Sequence, residues 1–134
     1  MQCKYSVPRH VLDTIISLGR TEDIKFSPSN RRLGLAAFHK NKIVMFKLSL
    51  RSSCQEKEIT VTDVTEFSSA CFKSPHGLDF IDEGTIIVAN RDGDVCILRL
   101  PSDQDWRSCE LEPIGVIPAG EILDSPGVQC VWSK

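Results

Sequence analysis

The sequence has no C-x-x-C pair, no apolar run approaching the length of a membrane span, and no marked excess of charge of either sign. Each absence removes a class of function. The six cysteines (Cys3, Cys54, Cys71, Cys96, Cys109 and Cys130) lie 13 or more residues apart, so the usual zinc spacings are missing. The opening stretch "MQCKYSVPRHVLDTIISLGR" lacks the apolar core and small-residue cleavage site of a secretory signal. The expectation is therefore a soluble, cytoplasmic chain with reduced thiols. Cys96 and Cys130 sit inside apolar runs, where a free cysteine acts as a small hydrophobe. A net charge of −2 gives no bulk field for nucleic acid or an anionic membrane, and neither is expected as a partner. Arg31-Arg32 and Lys40/Lys42 are local basic spots too sparse to alter that. There is also no G-x-S-x-G elbow, no H-E-x-x-H and no G-x-x-x-x-G-K phosphate loop, and no serine has identifiable His and Asp companions.

What is present is globular composition and an internal repeat. With 41% apolar and 25% charged residues over 134 positions, the chain suits one domain that buries roughly two thirds of its unfolded surface. "LGLAAFHKNKIVMFKLSL" (33 to 50) overlays "TIIVANRDGDVCILRLPS" (85 to 102) without a gap at an offset of 52. Leu35 falls on Ile87, Ala37 on Ala89, Val44 on Cys96, Lys47 on Arg99, and Asn41 on Gly93. "DIKFSP" (23 to 28) falls on "GLDFID" (77 to 82) at an offset of 54, and "SPGVQCVW" (125 to 132) echoes "SPHGLDF" as the start of a third copy. A period near 50 marks a stacked repeat.

Each copy predicts four short antiparallel strands, from Ile/Val/Phe/Thr enrichment between Gly, Pro, Asn and Asp. The first copy places them at 23 to 27, 33 to 39, 42 to 50 and 58 to 66; the second at 76 to 81, 85 to 90, 94 to 100 and 111 to 117. "HVLDTIISL" reads as a lone fourth strand preceding the first copy, with a short helix as the alternative. The fold expected is all-β: a single domain over 1 to 134 with units at about 21 to 66 and 74 to 117 and a third beginning near 125.

Four antiparallel strands repeated in tandem describe blades of a β-propeller. "IKFSPSNRRLGLAAFHKNKIVMFKL" resembles a blade of the YVTN and lactonase-like propellers, and "SPHGLDFIDEGTIIVANRDGDVCIL" resembles an NHL or gluconolactonase-type (senescence-marker-like) blade. The resemblance covers roughly residues 11 to 132 and implies a fold far more than a function. Closed rings of this type need more blades than the two and a half counted here. The expectation is a partial propeller: a fragment of a longer parent, with a homo-oligomer completing a ring as the second choice and completion by another partner as the third.

In up-and-down blades the loops before the first strand share one end with the turns between the second and third strands. That end carries Glu22-Asp23, His76-Gly77, His39-Lys40-Asn41 and Asn90-Arg91-Asp92-Gly93. Propellers of the lactonase and NHL kinds place metal ligands in the loops before the first strand, so the resemblance implies Glu22 and His76 as ligands of a divalent metal (calcium or zinc), with Asp23 as base. The plainer reading makes these ordinary turn residues. "NRDGD" fails as an EF-hand, because Pro101 stands where the bidentate glutamate belongs, and Asp92-Gly93 reads as a type I′ hairpin turn. The function expected is a non-catalytic binding or protein-interaction scaffold using His39, Asn90, Arg91 and Asp92, with no cofactor required and an unknown protein or small molecule as partner. The alternatives are part of a metal-dependent lactonase-like hydrolase or lyase, and a remnant without function of its own.

Overall fold

The computed structural model describes residues 2 to 119. Its elements are β1 (Gln2–Ser6), α1 (Arg9–Ser17), β2 (Asp23–Phe26), β3 (Arg32–Ala37), β4 (Lys42–Ser52), β5 (Glu56–Ser68), β6 (Pro75–Asp82), β7 (Thr85–Asn90), β8 (Val95–Arg99), a 3-10 turn at Asp103–Asp105, β9 (Cys109–Glu110) and β10 (Pro113–Ile117). They form two sheets, so the described residues are mostly β with one short helix. The first is mixed, ordered β1-β5-β4-β3-β2, with β9 also pairing with β5; the second is antiparallel, ordered β10-β8-β7-β6. The predicted third copy near 125, with Pro126 and Cys130, lies outside the described residues. Among the described residues, no helix is long and apolar enough to cross a membrane.

The sheets are held face to face by side-chain alternation. Along β3 and β4, Ala36, Ile43 and Met45 point toward the second sheet and join Leu78, Ile86, Val88, Cys96 and Leu98 in one buried cluster. Phe67 anchors it, fully buried, with the Trp106 ring edge-on at 5.2 Å. Gly34 sits at the tightest point: a Cβ there would come within 2.7 Å of Leu78 Cδ1.

Strand pairing corrects the gapless overlay. Ile24 pairs with Leu35 and Leu35 with Val44 in the first sheet, while Leu78 pairs with Val88 and Val88 with Cys96 in the second. The spatial offsets are thus 54, 53 and 52 for successive strands. Leu35 corresponds to Val88 rather than Ile87, and Ala36 rather than Ala37 corresponds to Ala89. Ungapped matching hid a one-residue slip because both "LGLAA" and "TIIVA" are apolar on every position from their second residue. In a sheet such a slip exchanges the two faces.

The expected N-terminal strand is a helix. Val11, Ile15 and Leu18 follow helical spacing, and Val11 and Leu18 are buried against Ala37, Val44 and Phe46. Pro8, fixed at φ −65, starts it; Gly19, at φ +67, ends it in the left-handed conformation that favours glycine. These start and stop residues outweigh the place in the repeat that suggested a strand. The strand that precedes the first copy is β1 instead, and it runs parallel to β5 from Gln2↔Glu56 to Ser6↔Thr60.

Candidate functional site

The loops named from the sequence do meet at one end of the two sheets. Glu22 immediately precedes β2, and its backbone N–H donates to Ala36 O at 3.0 Å, which fixes the loop to β3. His76 lies on β6, and its Nδ1 is 3.7 Å from Glu22 Oε2, within ion-pair range but beyond hydrogen-bond length. Glu22 Oε1 faces Arg20 Nε at 2.6 Å, yet the angle is poor and that oxygen is buried without a hydrogen bond. A carboxylate only 15% exposed therefore sits between a guanidinium and an imidazole from the other sheet.

Asp23 has a different setting. Its Oδ2 accepts the Leu78 N–H at 3.0 Å from the neighbouring sheet, and its Oδ1 accepts from Ile24 N–H at 2.9 Å and Lys25 Nζ at 3.2 Å. Burial opposes its charge, but these donors outweigh burial and hold the carboxyl below its ordinary value of 3.8. Such a group ties β2 to β6 and is a weak proton acceptor at neutral pH.

The turn residues divide similarly. Asn90 is a structural hub: its Nδ2 donates to Cys71 O at 2.9 Å and Asp94 O at 2.6 Å, and its Oδ1 accepts from Lys73 N–H at 2.8 Å. Asn41, at φ 57, does the parallel work for the first sheet, donating to Phe72 O at 3.1 Å and accepting from Ser74 N–H at 2.8 Å. The two asparagines pin the connector between the sheets. The expected type I′ turn is corrected: Gly93 has no positive φ, and the Asn90 side chain, not a left-handed Asp-Gly pair, closes the hairpin. The exposed Asp92 gives only its backbone N–H, to Lys73 O at 3.3 Å. His39 packs its ring over Gly19, where a Cβ would approach Cδ2 to 2.9 Å, and so serves the end of α1.

Arg91 stands apart, exposed, with its guanidinium 5.8 Å from the Phe38 ring centroid. Arg20 lies over the same ring at 5.2 Å. Phe38 and Arg20 were missed from sequence, although both lie within two residues of positions that were singled out, and an aromatic flanked by basic turns is the signal that could have found them. The site brings together Arg20, Glu22, Phe38, His76 and Arg91, with Asp23, Asn41 and Asn90 as its scaffolding.

As a metal centre the arrangement is incomplete. Glu22 and His76 supply two donors, and no group of three or more His, Cys, Asp or Glu residues is placed to hold an ion among the described residues. One Glu22 oxygen is already engaged by Arg20. No protein-family model matches the chain, and no curated protein matches it.

Proposed function

We propose that the chain is a β-propeller segment that works as a non-catalytic interaction scaffold, each four-stranded antiparallel run being one blade. The reading rests on β2 and β6 lying side by side as the first strands of two stacked meanders, with Asp23 bonded across them to Leu78. The recognition surface is the loop end, where Phe38 offers an apolar platform between two arginines and Glu22 with His76 offers an acid–imidazole pair. Aromatic and arginine side chains on loops of a rigid scaffold favour binding a polypeptide with mixed apolar and acidic character. Affinity capture with the wild-type chain and with Phe38→Ala/Arg91→Ala tests this. The variant keeps its circular dichroism spectrum and loses the retained partner. Equal retention by both proteins overturns the reading.

A second copy completing a ring would rest on the part of the first sheet's outer face that α1 leaves open, where Ile24 and Phe26 are 53% and 47% exposed. Light scattering at micromolar concentration gives a multiple of the 15.0 kDa chain mass in that case and the single mass otherwise.

The 3.7 Å approach of His76 to Glu22 is the one observation favouring the metal-dependent lactonase-like reading. Under it, the third ligand would have to come from outside the described residues. Calorimetry with zinc and with calcium, on wild type and His76→Ala, decides it: binding lost in the variant supports a metal role, and no binding removes it.

A further inference from the structure

We propose that the cleft at the opposite end of the sheets is a binding site for a phosphate-bearing small molecule. The cleft encloses about 630 Å³, within the range of small-molecule sites. It is lined by Arg31 from the β2–β3 turn, Arg32 from β3, Lys47 from β4 and Arg99 at the end of β8. The sequence shows Arg31-Arg32 as an isolated pair; the fold adds Lys47 and Arg99.

The charges are unevenly satisfied. Arg32 is ion-paired to Asp103 and stacks its guanidinium on the Trp106 ring at 3.8 Å, forming a fixed wall. Arg31, Lys47 and Arg99 have no ion-pair partner among the described residues. Lys47 lies cross-strand between Arg32 on β3 and Asp63 on β5, and Asp63 is itself directed at His10 Nε2, 3.3 Å away.

The carboxylates that share the cleft are already engaged. Asp82 Oδ1 accepts the Gly84 N–H at 2.9 Å, Glu83 Oε1 accepts the Ser29 N–H at 2.5 Å, and Asp103 faces Arg32. Asp82 and Glu83 keep their charge while bonded to backbone amides, so the four cations of the lining exceed its three carboxylates by one. Arg31, Lys47 and Arg99 are the cations without an ion-pair partner of their own among the described residues.

The frame holding these cations is built. Leu48 N–H donates to Arg31 O at 2.9 Å, locking the turn to β4 at the register shift between Lys47 and Leu48. Such a bulge re-aims the side chains beside it. Three cations from three separate elements match a tetrahedral dianion with several oxygens better than a carboxylate, whose planar face one arginine fork already satisfies.

The test is a titration of the full-length, isotope-labelled chain with inorganic phosphate, and separately with succinate, at constant ionic strength. Saturable shifts at the amides of Gly84, Thr85 and Leu100, stronger for phosphate, are expected. Lys47→Gln/Arg99→Gln should weaken phosphate about tenfold, as loss of charge-assisted contacts implies. Arg20→Gln, at the other end, should leave it unchanged. Three results overturn the proposal: no saturable shift, equal affinity for succinate, or unchanged affinity in the double variant with unchanged urea stability. If the double variant loses its fold, Lys47→Gln alone carries the comparison.

Discussion

The two four-stranded runs carry equivalent faces that meet different fates. In the second sheet, Leu78, Ile86, Val88, Cys96 and Leu98 are buried against the first. The matching positions in the first sheet, Ile24, Leu33, Leu35, Val44 and Phe46, face away from the second. There only Val44 and Phe46 are buried, under α1, whereas Ile24 is 53% exposed. One apolar pattern is thus written twice, and the element lying over each copy decides its burial. The helix acts as a cap over the half of the face nearest the β3–β4 turn.

The largest expected effect comes from truncating equivalent residues on the two faces. Leu78→Ala removes a side chain that is 4% exposed and fills the hollow at Gly34, so it should cost about 3 kcal/mol. Ile24→Ala, the same strand position in the other sheet, should cost less than about 1 kcal/mol. Urea unfolding with unchanged m-values measures both. Equal losses would show that Ile24 is covered in solution and that the faces do not differ.

Second in size is the cap itself. Gly19→Ala forces a Cβ at φ +67 against the His39 ring, at a cost of about 1 to 2 kcal/mol. Amide exchange should report the loss in α1 and at Val44 first. Even loosening of both sheets would mean that α1 is not a separate lid on the first.

Eight of the ten strands among the described residues were legible because short Ile/Val/Phe runs between turn residues are a local signal. What was not legible depended on contacts between distant segments. β1 is exposed at every position and carries no apolar run, β9 is two residues long, and both exist by pairing with β5. The slip in β3 was invisible because its residues are apolar on both faces, and only pairing to Ile24 and Val44 reveals it. At the loop end, residue type and repeat position brought Glu22 near His76, yet they gave no means of separating Asn90, whose amide is consumed by backbone groups, from the exposed Arg91. The cleft around Lys47 and Arg99 was written as an equivalence between two strands, but which charges remain unpaired is a fact of three dimensions.

Asp23 is the polar tie across this asymmetric pair, and its loss should be smaller and dependent on pH. Its folded-state pKa lies below the ordinary 3.8, so the stabilisation is complete above that value and is lost as pH falls through the lower one. Asp23→Asn should be the less stable protein at pH 7, by less than about 1 kcal/mol for a part-exposed carboxylate. The gap should close progressively below pH 3.8. A gap that stays constant down to pH 2 would mean that the stabilisation does not depend on the charge of the Asp23 carboxylate.

The smallest effect sharpens the comparison most, because it exchanges a residue for its own counterpart. Val44 occupies in the first sheet the place that Cys96 occupies in the second, and both are fully buried. Burial first, then hydrogen bonding with Cys71, pushes the Cys96 thiol up to about 12. The thiolate, the reactive form, is thus absent at neutral pH. Alkylation followed by peptide mapping should label Cys3 and Cys54, which are exposed, and leave Cys96 unmodified until the chain unfolds. Cys96→Val adds roughly one methylene and should cost about 1 kcal/mol or less, the loss coming from the added bulk and from the Asn90 Nδ2 and Cys71 O contacts to its sulfur, each at 3.3 Å. If Cys96 labels as fast as Cys54 in the folded protein, the second sheet opens readily. Its face would then be no better covered than the one under α1.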